Sequence, residues 1–292
     1  MIQQPETNQA ALNATGVSLR NVLVATDFSE TADRALEQAL SLARTYGSKV
    51  FVVHVLPVDL MMAPELAEAS RERMRQTART EMKRAIGSGR FLNVSHEEII
   101  EEGNLWPTLE SVIQRHFIDL LVVGTHGKSL IEKLLIGSSA EEIFRHALIP
   151  VLTVGPGVWR EPFYSLELKN ILFATGFGVG AERQAAYAFS LAQEHRSRIT
   201  LLHVQEDGDE EESTVHQLRE LVPTGVEMHC LPLFRVAQGD PADEILRAAE
   251  DIQANLIVIG AKPRKSLAGH VPRSKAYRVV CGAPCPVLTI KS

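Results

Sequence analysis

The sequence predicts an α/β protein made of two tandem doubly wound (Rossmann-like) domains, each a five-stranded parallel sheet of order 3-2-1-4-5 with helices on both faces. Three observations carry this. Short apolar runs alternate with helical patterns along the chain. Those runs are apolar throughout, which is how strands covered on both faces read. The second half also repeats the first: Asn21-Val-Leu-Val-Ala-Thr is answered by Asn170-Ile-Leu-Phe-Ala-Thr at an offset of 149. Ser41-Leu-Ala and His54-Val are answered by Ser190-Leu-Ala and His203-Val at the same offset.

Taken in order, residues 21–26 form a strand that ends on Asp27-Phe28-Ser29. Ala32, Ala35, Leu36, Ala39, Leu40 and Ala43 then recur at helical spacing, until Tyr46-Gly47-Ser48 stops the helix. Residues 50–55 (VFVVHV) make a second strand, and a longer, more polar helix runs from Pro57 to about Arg84. A third strand falls between Leu92 and Ile100, and a helix spans Pro107 to His116. The stretch from Asp119 to Gly155 follows: a strand at Leu120–Val123, a loop Gly124-Thr125-His126-Gly127, a helix opening on Gly137-Ser138-Ser139, and a strand at Val151–Val154.

In the second half the offset drops to 136. Asp119-Leu-Leu-Val-Val-Gly is matched by Asn255-Leu-Ile-Val-Ile-Gly, and Pro150-Val-Leu-Thr-Val by Pro286-Val-Leu-Thr-Ile, so this copy is 13 residues shorter after its second strand. Identical strands with one localised gap indicate a tandem duplication. The reading divides the chain into a flexible tail (1–18), a first domain (19–155), a linker (156–168) and a second domain (169–292).

Hydrophobic residues at 45% and charged residues at 23% suit a globular rather than a disordered chain. A net charge of −6 disfavours a dedicated nucleic-acid or anionic-membrane binder. Cys230, Cys281 and Cys285 are too few for a disulfide framework and lack the spacing of a zinc site, so they read as core residues. The N-terminus has neither a basic nor an apolar region of signal-peptide type, and no apolar run is long enough to span a bilayer. A cytoplasmic protein is expected.

In an open parallel sheet, ligands bind beyond the carboxyl ends of the strands where the strand order reverses. With order 3-2-1-4-5 the loops that meet there are Ala25-Thr26-Asp27 and Gly124 to Gly127. Glycines let backbone N–H groups approach phosphate oxygens, and Ser138 and Ser139 add hydroxyls at a helix start, whose dipole favours an anion. A plainer reading stands beside this one. Ser138-x-x-Glu141 and Ser139-x-x-Glu142 are capping-box patterns, and Asp27 precedes a helix as an N-cap does.

The spacing Gly124-x2-Gly127-x9-Gly137-Ser138 resembles the nucleotide-binding pattern of the ATP-binding universal stress proteins. The flanking VVGTHGKS and GSSAEEIFRHALIPVLTV, the Ala25-Thr26-Asp27 turn and the His54-Val55 strand end are similar to that family too, and the likeness covers both halves. It implies ATP, with or without magnesium, between the first and fourth strands. Asp27 and Val55 would lie by the adenosine. Gly124, Gly127, Gly137, Ser138 and Ser139 would hold ribose and phosphates, with Ala25, Thr26, Thr125 and His126 completing the site. It also implies pairing through fifth strands, here Val151–Val154 with Val287–Ile290 inside one chain. Association of two chains into a homodimer stays open.

Three look-alikes fail. Gly127-Lys128-Ser129 lacks the earlier glycine of a P-loop, since position 122 is valine. Gly176-Phe-Gly178-Val-Gly-Ala181 fits the dinucleotide fingerprint, with Glu206 and Asp207 downstream, but it is the repeat counterpart of Asp27-Phe-Ser-Glu-Thr. His54, His96, His116, His126 and His146 show no paired metal spacing, and of these His126 is the one placed to face a ligand.

The second copy departs from the motif. Asp27 becomes Gly176, Gly127 becomes Pro263 and Gly137 becomes Arg273, while Gly260 and Ser274 are kept. Lys262, Arg264, Lys265, Arg273, Lys275 and Arg278 form a basic segment there, read as a solvated face or a side-chain anion site. The resulting expectation is an ATP-binding stress-response or regulatory protein with one competent site. The alternatives are a slow ATPase or phosphoryl- or nucleotidyl-transfer enzyme, and a partner-binding scaffold that ignores nucleotide. No base–nucleophile constellation favours the enzyme.

Overall fold

The computed structural model describes residues 17, 19–58, 64–87, 89–125, 137–158, 168–205, 211–225, 229–261 and 274–291. Strand and helix alternate throughout. The first half comprises β1 (Asn21–Ala25), α1 (Glu30–Tyr46), β2 (Lys49–Leu56), α2 (Pro64–Ile86), β3 (His96–Glu102), α3 (Leu105–Arg115), β4 (Leu120–Gly124), α4 (Ser138–His146) and β5 (Val151–Val154). The second comprises β6 (Asn170–Ala174), α5 (Ala181–Glu194), β7 (Arg198–Gln205), α6 (Glu211–Glu220), β8 (Leu233–Gln238), α7 (Pro241–Asp251), β9 (Leu256–Ala261), α8 (Lys275–Gly282) and β10 (Val287–Lys291). Their strands form one ten-stranded sheet of order β3-β2-β1-β4-β5-β10-β9-β6-β7-β8. Within each half every pairing is parallel.

The halves meet at an antiparallel β5–β10 ladder, in which Leu152 pairs with Leu288, Thr153 with Val287 and Val151 with Thr289. Leu288 is the repeat counterpart of Leu152, Val287 of Val151, and Thr289 of Thr153. The register is therefore self-complementary, the signature of a two-fold interface built here within one chain. Tyr46 and its counterpart His195 also meet, with the phenol oxygen 3.0 Å from Nε2.

Both faces are covered. Residues of α1, α2, α5 and α6 pack one continuous core, and residues of α3, α4, α7 and α8 pack the other, each core drawing on both halves. Local chemistry explains the ends. Ser29 N-caps α1 by accepting from the N–H of Ala32, and Gly47 at φ 65° closes it in the left-handed conformation that glycine tolerates. Asp119 accepts from the N–H groups of Arg20 and Asn21 at 2.8 and 2.9 Å, fixing the start of β1 beside β4. Asn255 does the same for Lys169 and Asn170 at 3.0 and 2.9 Å.

Several element bounds differ from the sequence reading. The third strand starts at His96, because residues 89–94 turn: Leu92 donates to Gly89 and Val94 to Phe91, with Asn93 at φ 61°. Leu92 is 75% exposed, so its apolar letter marked no strand. Helix α3 begins at Leu105, two residues before Pro107, since proline is tolerated within a first turn, where N–H groups have no intrahelical partner. Helix α2 is described from Pro64, with residues 59–63 outside the described set.

Candidate functional site

The strand order reverses between β1 and β4, and a cavity of about 260 Å³ lies at their carboxyl ends. Its floor is the β1 end. The N–H of Phe28 donates to the Thr26 hydroxyl at 3.0 Å, and Phe28 takes φ 58°. Beneath it, Nδ1 of His54 lies 2.7 Å from the Thr26 carbonyl, and the imidazole packs on the Phe28 ring at 4.5 Å. That turn fixes Asp27 at the cavity edge, where its Oδ1 accepts from the N–H of Ser29 at 3.0 Å.

The opposite wall comes from β4 and α4. Fully buried Thr125 donates its N–H to Val154 at 3.0 Å, and its carbonyl accepts from the N–H of Gly137 at 2.7 Å. The ends of the 126–136 segment are thus tied together, and α4 is delivered to the strand end. Its first intrahelical bond runs from Glu141 to Gly137 at 2.9 Å. The N–H groups of Ser138, Ser139 and Ala140 come before that bond, and Gly137 at the N-cap has no side chain to satisfy them. Three donors and the positive end of the helix dipole remain beside the cavity.

This arrangement settles the capping alternative. Neither serine caps α4, because both lie inside its first turn. Glu142 instead accepts from the N–H of Trp106 at 3.3 Å, serving the start of α3, and Glu141 pairs with Arg145 at 2.7 Å. Asp27 is not the cap of α1 either; Ser29 is. The cavity brings together Ala25, Thr26, Asp27, Val55, Gly124, Thr125, Gly137, Ser138 and Ser139, with Leu105, Leu109 and Ile143 as an apolar wall. His126 and Gly127 lie outside the described residues, as do Lys128 and Ser129.

The family model described as Universal stress protein family matches residues 18–155 and 234–291. The chain belongs to the universal stress protein family. Among curated relatives, a universal stress protein of Mycolicibacterium smegmatis is 26% identical over 298 residues, covering 92% of this chain and 96% of the relative. One from Thermus aquaticus is 32% identical over 138 residues, covering 42% of this chain and 98% of the relative. A solved universal stress protein from Archaeoglobus fulgidus superposes with a TM-score of 0.69 at 20% identity, covering 93% of this chain and 98% of that one, and supports the fold.

The second half carries its own version of the turn that follows β1. Phe177 at φ 54° donates to the Thr175 hydroxyl at 3.1 Å, His203 Nδ1 lies 2.8 Å from the Thr175 carbonyl, and the rings stack at 4.4 Å. The sequence shows His54-Val and His203-Val as matching strand ends, which assigns neither ring a partner. The repeated Thr-x-Phe before each helix was the available signal for this brace.

Above the second turn lies a cavity of about 560 Å³ that sequence reasoning missed. It is lined by Gly176 and Gly178 of the fingerprint look-alike and by α7 and α8, with Glu141, Phe144 and Arg145 of α4 reaching in from the first half. Ser274 N-caps α8, its hydroxyl accepting from the N–H of Tyr277 at 3.2 Å. Arg278, one of the six basic residues of that segment, is engaged by Asp240 and Asp243 at 2.8 and 2.7 Å. Lys262, Pro263, Arg264, Lys265 and Arg273 lie outside the described residues, as do Glu206 and Asp207. Cys281 and Cys285 are buried, and burial pushes the Cys285 thiol up to about 12, far from thiolate reactivity. Among the described residues no helix is long and apolar enough to cross a membrane.

Proposed function

We propose that the first half binds ATP and that the protein is a cytoplasmic stress-response or regulatory protein with one competent nucleotide site. In this reading residues 19–155 and 169–292 are two domains of a fused pair, and the second has given up phosphate chemistry. The observation that carries it is the side-chain-free start of α4, whose first three residues line the same cavity as Asp27 and have N–H groups that precede the first intrahelical bond. Asp27 and Val55 would meet the adenosine, and Gly137, Ser138 and Ser139 the phosphates. The family's nucleotide spacing in residues 124–138 supports the same assignment. Among the described residues no three His, Cys, Asp or Glu side chains cluster as a metal set. Magnesium enters this reading only as a counter-ion of the phosphates.

Isothermal titration of ATP into wild type and Ser139→Asp tests it. An aspartate there favours the helix dipole while repelling phosphate, so folding is kept and ATP affinity should fall about tenfold or more. Equal binding by the two proteins, or binding by neither, would remove the proposal. Heat-denaturing the purified protein and identifying any released nucleotide is the simplest companion measurement.

A further inference from the structure

We infer that the larger cavity is a second ligand site, for an apolar small molecule that presents a hydrogen-bond donor, and not for a nucleotide. Its volume of about 560 Å³ is roughly double that of the first cavity. It falls inside the ~300–1,000 Å³ range of sites that hold drug-sized molecules. Leu202, Val204, Ile245, Ile259 and Val279 make the inner surface apolar, and Phe144 closes it from the other half of the chain.

Gln184 defines the polar requirement. Its side chain lines the cavity and the residue is only 6% exposed. Nε2 donates to the Ile290 carbonyl at a long 3.5 Å, and Oε1 has no hydrogen-bond partner among the described residues. The amide lies flat on Gly260, where a Cβ would sit 2.5 Å from Oε1, so the glycine makes room for it. Because Gln184 lines the cavity, a ligand N–H or O–H placed there can pair with this open acceptor.

The phosphate features of the first cavity are altered among the described residues here: of the two cations in the lining, Arg145 is paired with Glu141, which leaves Lys275. Gly176 stands where Asp27 stands in the first half, Ser274 already occupies an N–H at the start of α8, and Arg278 is held by two aspartates. The walls are also braced rather than loose: Arg278 ties α8 to α7 across Asp240 and Asp243.

The test uses the full chain and N-phenyl-1-naphthylamine, a neutral apolar fluorophore with one N–H donor. A saturable fluorescence rise at one probe per chain, undiminished by excess ATP, is the expected result. Gln184→Leu should weaken binding about fivefold, the worth of one neutral hydrogen bond. Ile245→Trp and Phe144→Trp, which fill the cavity from opposite halves, should weaken it more. Melting curves without probe identify which variants fold, and one folded filling variant suffices. The inference is overturned by non-saturable binding, by affinity unchanged in a folded filling variant, or by one-for-one displacement with ATP. None of these readouts depends on whether the first cavity binds nucleotide.

Discussion

Gly124 and Gly260 occupy the same place in the repeat and are glycine for different reasons. A Cβ on Gly124 would lie 2.7–2.8 Å from the backbone of Thr31 and Ala32, so the start of α1 rests directly on β4. On Gly260 the same atom would meet the end of a flexible side chain, Gln184. Gly124→Ala is expected to cost about 1–3 kcal/mol, the usual range for overpacking against atoms that cannot move aside. Gly260→Ala should cost less, and urea melts of the two variants compare them directly. Lys291 offers a second prediction at this scale. Its ammonium donates to the Arg145 carbonyl at 2.6 Å, and burial lowers its pKa from 10.5 to about 8. Between those values the unfolded chain holds the proton that the folded chain has lost, so stability rises with pH. Relative to Lys291→Met, wild type should gain stability from pH 8 to pH 10.5 and be at its relative lowest below pH 8, as read from melting temperatures.

Among the elements, α4 and α8 are repeat counterparts with opposite starts. Ser274 caps α8 with its side chain, whereas Gly137 leaves α4 open and the exposed hydroxyls of Ser138 and Ser139 cap nothing. Ser274→Ala should therefore destabilise by about 1 kcal/mol. Ser138→Ala and Ser139→Ala should each stay within about 0.5 kcal/mol of wild type, as exposed substitutions usually do. Chemical denaturation of the three variants checks the contrast. The capping-box pattern misled because it is a local rule. Glu142 satisfies Trp106, 36 residues away, and only packing of α3 against α4 makes that partner available. Helix α4 also has two audiences: its first turn lines the smaller cavity, and Glu141, Phe144 and Arg145 line the larger.

At the scale of the whole molecule, the β5–β10 ladder closes what would otherwise be two exposed sheet edges. Its self-complementary register means that a first half alone carries an edge able to pair with its own copy. Residues 1–158 expressed separately should elute as a dimer in size-exclusion chromatography, and Thr153→Pro, which removes a backbone donor from β5, should shift it toward monomer. The intact chain satisfies the same edge internally. The rest of the joint is made of pairs that sequence order does not announce: Tyr46 with His195, Val17 with Ser190, and Lys291 with Arg145.

What the sequence determined by itself was the alternation of strand and helix, the duplication, and the cluster of residues at the β1 and β4 ends. The first two are written in local periodicity and in repeated letters, and the third in the glycine and serine spacing that resembles the universal stress proteins, so no distant contact was needed to read them. Nine of the eleven residues singled out there line one cavity, and the other two lie outside the described residues. The tertiary structure alone decided which helix starts remain open, that the Thr-x-Phe turn is braced by a histidine, and that the second half encloses the larger space. Those outcomes depend on where Glu142, His54, Gln184 and Phe144 arrive after folding, and partners brought together from separate segments leave no spacing in the sequence to find.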